Sequence, residues 1–202
     1  MNELIGTFIF FFAVIDPIGT IPVFIAFTNG FSSSLKRTIA IKASLVSALI
    51  LIFFVIAGEI ILTAIDIPLS AFQVAGGIVL FLFAMTMIFG ESKPESEIKN
   101  ASHGSEVAIF PLSVPSIASP GAMLGAVLMT ENTTYTFLQQ AQTSLIMLSV
   151  LVITFIFMLL AGRINSLIGS EGASVVSRVM GIILSSVAVA NVLEGIKAYF
   201  AL

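Results

Sequence analysis

Asp16-Pro17-Ile18-Gly19-Thr20-Ile21-Pro22 interrupts an apolar run from about Leu4 to Thr28, and Ser116 to Gly121 interrupts a second one from about Val107 to Thr130. Proline removes a backbone donor and clashes with the preceding turn, and glycine accepts the unusual dihedrals that follow. Asp before Pro can lend its oxygens to the N–H groups of a new first turn. Each segment can therefore end one half-helix and begin another. The loosened carbonyls can take an ammonium or a cation, and the free N–H groups can hold a carboxylate. A zwitterionic amino acid presents both charges.

Asp16 is the single ionisable side chain expected in the central third of a span. Facing lipid, a charged carboxylate is costly, so Asp16 is expected to face the protein interior or a wet cavity. There it would bind a coupling proton or sodium ion, or the substrate's amino group. Its other open role is to cap the half-helix that starts after Pro17, and the two roles are compatible. The candidate binding set is Asp16, Pro17, Gly19 and Thr20 from the first break, Ser116, Ser119, Pro120 and Gly121 from the second, and Asn191 from the last span. Hydroxyls in membrane helices also bond back to their own helix, and Asn191 suits interhelical hydrogen bonding equally well. Pro22 is expected in the first turn of the second half-helix, and Gln73 is read as structural.

The elements that position these residues follow from composition. With 58% hydrophobic and 9% charged residues, the chain cannot present a wet surface all round, so it is read as an integral, all-α polytopic membrane protein. A helix needs roughly 20 apolar residues to cross the hydrocarbon. Six stretches qualify, at about 4–28, 39–62, 68–89, 107–130, 141–162 and 175–200. The first is expected to be a helix rather than a cleaved signal. Lys36, Arg37, Lys42, Lys93, Lys99, Arg163 and Arg178 fall on one side, and only Lys197 on the other. The positive-inside rule then puts both termini outside and the basic loops in the cytoplasm.

The halves share a register. Ala57-Gly58-Glu59-Ile60 matches Ala161-Gly162-Arg163-Ile164, and the same spacing separates Gly77-Ile78 from Gly181-Ile182. Pro17 and Pro120, like Asn29 and Asn132, keep a spacing one residue shorter. The chain 1–202 is read as one membrane domain, with repeat one at 1–90, a loop at 91–106 and repeat two at 107–202. Three spans return the chain to the opposite side, so the second copy enters upside down. Two inverted three-helix repeats with broken helices 1 and 4 are the architecture of many secondary transporters. Inversion also separates Glu59 from Arg163, which are read as interfacial anchors.

Other function classes lack support. A net charge of -3 with no basic tract argues against nucleic acid, and the absence of cysteine removes thiolate chemistry. The lone His103 is read as a solvated loop residue, and no HExxH or glycine-rich phosphate loop occurs, so neither an enzyme nor a metal or organic cofactor is expected. Asn132-Thr133-Thr134 is read as a polar turn. The expected partners are a small-molecule substrate and membrane lipids, and a homodimer is open to a chain of this size.

The Asp-Pro-Ile-Gly-x-x-Pro segment at 16–22, the run Pro115-Ser116-Ile117-Ala118-Ser119-Pro120-Gly121 and six spans in about two hundred residues resemble the MarC family over essentially the whole chain. The resemblance implies a bacterial or archaeal inner-membrane protein. It also implies a six-helix neutral amino acid transporter, with small substrates such as alanine and glycine. A non-transporting scaffold or lipid-interacting protein, and efflux of another small solute, are the alternatives.

Overall fold

A computed structural model of the chain describes residues 2–89, 112–132 and 134–200. His103, Lys93, Lys99, Pro111, Thr133 and the whole of the 91–106 loop with the start of the fourth expected span lie outside the described residues. The described residues form helices α1 (Asn2–Ile15), α2 (Pro17–Phe27), α3 (Ser33–Ala64) and α4 (Leu69–Phe89). A π-helical segment (Leu112–Ile117) follows, then α5 (Pro120–Leu128), α6 (Phe137–Leu159) and α7 (Ala161–Phe200), with no strand among them. Five helices, counting α1 and α2 as one, are long and apolar enough to cross a membrane. The fourth expected span is described only from Leu112 onward, where it is a broken helix.

Helix boundaries follow local chemistry more closely than hydropathy. The second span begins at Ser33, not near 39, because the Ser32 hydroxyl accepts from Leu35 N–H and caps the helix. The fifth begins at Phe137, not near 141. There Thr136 and Gln139 form a reciprocal capping box, a signal present in the sequence as Thr-x-x-Gln. The expected break around Gly169 is present: its φ 73° and ψ 168° are non-helical and suit glycine, so α7 is two helical stretches joined across a kink, and the apolar span runs from Glu171 to Phe200. Pro22 is also displaced from its expected place. Pro17 takes the first position of α2 and Pro22 lies inside that helix.

The broken first span is the centre of the bundle. In its most apolar window 72% is buried inside the protein, against 22% for α3, α4 and the long part of α7. The other helices turn large apolar residues outward and small or polar ones inward. On α3, Leu45, Leu49, Phe53, Ile56 and Ile60 form an exposed stripe at helical spacing, while Ala40, Ala43, Ser47 and Gly58 are buried. This pattern suits a hydrocarbon surround, in which close helix approach at small residues replaces hydrophobic burial as the packing device. The α4–α7 contact shows it. A Cβ on Gly77 would lie 3.0 Å from Ala188 O and 2.8 Å from Val192 Cγ2, and one on Gly181 would lie 3.1 Å from both Ala84 O and Ile88 Cγ1. Gly125 lets α5 slide beneath the Phe10 ring of α1.

Candidate functional site

Both interruptions are real breaks in the helix. Asp16 sits in the left-handed region at φ 50°, ψ 68°, between α1 and α2, a conformation that Asp tolerates better than most residues. Its Oδ1 accepts from Gly19 N–H at 2.9 Å, capping α2, while Thr20 Oγ1 donates to the Asp16 carbonyl at 3.0 Å. Pro17 at the first helical position has no N–H to leave unsatisfied. In the second break Val114 is extended, the Val114–Pro115 peptide is cis, and Ser119 caps α5 by accepting from Ala122 N–H at 3.2 Å, with Pro120 at the first position. Two unrelated side chains thus solve the same local problem in the same way.

The breaks also touch each other. Ser119 Oγ donates to Val14 O at 3.0 Å, a carbonyl of the last turn of α1, where the chain turns away before an intrahelical partner is reached. Gly121 makes this approach possible, since a Cβ there would press on Val14 and on Leu80 of α4. Asp16, Thr20, Ser113, Ser116 and Ser119 are all buried. Ser113 Oγ donates to Ala43 O at 3.1 Å and Ser47 Oγ to Ser113 O at 3.4 Å, tying the π-helical segment to α3. The Ser116 hydroxyl is buried with no hydrogen-bond partner among the described residues. An unmatched buried polar atom is uncommon enough to mark a place where a ligand group or water could be received.

Ser177 of α7 escaped the sequence reading. Its Oγ donates to Asp16 Oδ2 at 2.6 Å, and both residues are buried. A hydroxyl this close to a carboxylate oxygen has the length of a charge-assisted bond. The two carboxylate oxygens therefore each receive one donor, one from α2 and one from α7. Gly19 is part of the same arrangement, because a Cβ there would collide with both Asp16 Oδ2 and Ser177 Oγ. The only sequence signal for Ser177 is a polar residue on an otherwise apolar helical face, which many structural serines share.

The remaining candidates divide. Asp16, Pro17, Gly19 and Thr20 lie at one break and Ser116, Ser119, Pro120 and Gly121 at the other, and the bond from Ser119 to Val14 O joins the two breaks. Asn191 pairs elsewhere: Gln73 Nε2 donates to its Oδ1 at 3.5 Å and to Glu194 Oε2 at 3.5 Å, bridging α4 and α7. Glu59 is more than an interfacial anchor. Its Oε2 accepts from both the backbone and the side-chain nitrogen of Asn132 at 2.8 Å, clamping the loop that follows α5 to the end of α3. In that loop burial, then Glu131, Glu3 and Glu194, push the Tyr135 phenol above its ordinary range.

A model of MarC family integral membrane proteins matches residues 1–200. The chain is 32% identical to a Bacillus subtilis protein named UPF0056 membrane protein YvbG, covering 98% of this chain and 95% of that one. It is 32% identical to the Methanocaldococcus jannaschii UPF0056 membrane protein MJ1677, over 92% of each chain. It is 30% identical to the Escherichia coli UPF0056 inner membrane protein YhgN, over 98% of each chain. No solved structure matches. Length, helical membrane architecture and sequence agree that this chain belongs to the MarC family of integral membrane proteins.

Proposed function

We propose that this protein is a secondary carrier of small neutral amino acids of the alanine and glycine class across the cytoplasmic membrane. The observation that carries the reading is the meeting of two buried helix breaks, with the starts of α2 and α5 capped by Asp16 and Ser119 and joined through Ser119 and Val14. A substrate carboxylate would take N–H groups at a half-helix start, and its ammonium would take the Asp16 carboxylate in place of Ser177. A coupling proton or sodium ion would use the same carboxylate. The molecule is moved without covalent change, so the protein is not an enzyme. Both termini lie outside, following the bias in basic residues.

The inverted-repeat reading is supported by reciprocal packing. Gly77 rests on Ala188 and Val192, while Gly181 rests on Ala84 and Ile88, and each residue of the first set lies at the same chain spacing from its counterpart in the second. A pseudo-twofold axis between α4 and α7 produces such a pair. One repeat rocking against the other would then expose the central breaks to each side in turn.

The test is uptake of labelled alanine and glycine into proteoliposomes under proton and sodium gradients, for wild type and Asp16→Asn. Saturable flux that Asp16→Asn uncouples from the ion gradient is the expected result. Absence of flux under every gradient removes the carrier reading for these substrates, and ionic current without saturation replaces it with a channel.

A further inference from the structure

Two cavities occupy opposite ends of α3, and their charges are opposite. One, of about 390 Å³, is lined by Glu59, Asp66 and Glu131. The other, of about 310 Å³, lies where α2 and α6 end and α3 and α7 begin, and no Asp or Glu lines it among the described residues. Lys36, Arg37, Ser33 and Asn165 form its polar side. Lys36 is half-buried and Arg37 exposed.

The opposite wall is apolar, formed chiefly by Phe24, Ile25, Met158 and Leu159. It does not close the cavity off from the bundle's outer surface: Leu159 is 45% exposed and the adjacent Leu160 40% exposed. Cations and hydroxyls on one side and a greasy wall open to the surround on the other fit an amphiphile with a negative head. The position at the end of the spans is the headgroup level of a bilayer. Basic pockets between transmembrane helices at this level attract anionic lipid headgroups, at a strength set by the number of cations.

We propose that this cavity is a binding site for an anionic phospholipid. The phosphate is held by Lys36 and Arg37, with Ser33 and Asn165 supplying neutral donors, and an acyl chain runs out over Phe24, Met158 and Leu159. A lipid in this place bridges the end of the broken first span to the start of α3 and the junction of α6 and α7. The proposal rests on the charge and shape of the cavity and is independent of what the protein transports.

The chain contains no tryptophan, so a single introduced one reports on one place. Leu159→Trp is reconstituted with brominated phosphatidylglycerol or brominated phosphatidylcholine of the same chains, and quenching gives their relative binding constant at the cavity. Phosphatidylglycerol is expected to be preferred, with two cations setting a ceiling of about thirtyfold. Adding Lys36→Gln and Arg37→Gln is expected to bring the ratio to one, and the charge-conserving pair Lys36→Arg and Arg37→Lys to preserve it. Leu69→Trp at the acidic cavity is expected to show no preference for phosphatidylglycerol. A ratio of one in the otherwise unaltered Leu159→Trp protein, or a preference that survives loss of both cations, overturns the proposal. Relief of quenching by free sn-glycerol 3-phosphate overturns the lipid assignment and gives the cavity to soluble phosphate esters.

Discussion

Gly19→Ala sets two effects of opposite sign against each other. Alanine in a helix interior is favoured over glycine by about 1 kcal/mol, so a site with room for a methyl group should gain stability. Gly19 has no such room. A Cβ would fall 2.5 Å from Ser177 Oγ and 2.7 Å from Asp16 Cγ, and nearer still to Asp16 Oδ2. These atoms are held by the 2.9 Å bond from Gly19 N–H and the 2.6 Å bond from Ser177. The carboxylate must swing away and lose both. A helix cap is worth about 1 kcal/mol, and a hydrogen bond to a buried charged group about 1.5–3 kcal/mol, with bonds between membrane helices tending to the low end. Subtracting the propensity gain leaves a net loss of roughly 1–3 kcal/mol, from the same terms. The assay is reversible unfolding in mixed micelles, followed by circular dichroism. Gly6→Ala in α1 is the matched control, because nothing lies within 4 Å of a Cβ there, and it should be neutral or slightly stabilising. Ser177→Ala should destabilise wild type yet cost little in the Gly19→Ala background, since the bond it removes is already broken. A Gly19→Ala protein as stable as the Gly6→Ala protein, or additive effects of the two substitutions, would refute the reasoning.

Gly77→Ala and Gly181→Ala should each cost about 1–3 kcal/mol, since the new methyl meets a backbone oxygen and side-chain carbons of the facing helix. Gly162→Ala meets nothing within 4 Å and should be neutral in the same unfolding assay, so equal effects at all three positions would count against the α4–α7 packing. Tyr135 should ionise above the ordinary tyrosine value of 10.0, because burial and three carboxylates favour the neutral phenol in the folded protein. Its contribution to stability is complete below that value and is lost as pH rises through the folded pKa. Ultraviolet titration should show one late-ionising tyrosine that Tyr135→Phe abolishes, and an unchanged curve in that variant contradicts the assignment.

The breaks were legible in the chain because a cap is a local event. Asp16 and Ser119 each reach an N–H three residues on, and Pro17 and Pro120 preset the dihedral at the first helical position, so residue types and spacing were enough. The apolar spans were legible for a related reason, since hydrocarbon imposes a minimum length on any helix that crosses it. Capping chemistry also explains where hydropathy misjudged the ends, at Ser32 and Thr136.

Partner choice was another matter. Ser177 lies 161 positions from Asp16, and nothing in either neighbourhood records which face of α7 turns toward the break. Asn191 carries the same chemistry as a site residue, yet the rotation of α7 against α4 sends it to Gln73. Ser116 was singled out by type, but that its hydroxyl ends buried without a partner among the described residues depends on how the π-helical segment sits against α2 and α3. Side-chain chemistry and short spacings determined where this chain bends and which atoms each bend leaves in need of partners. Only the depth and rotation of one packed helix against another decided which distant atoms met that need, because those quantities are set by the whole interface and not by any one segment.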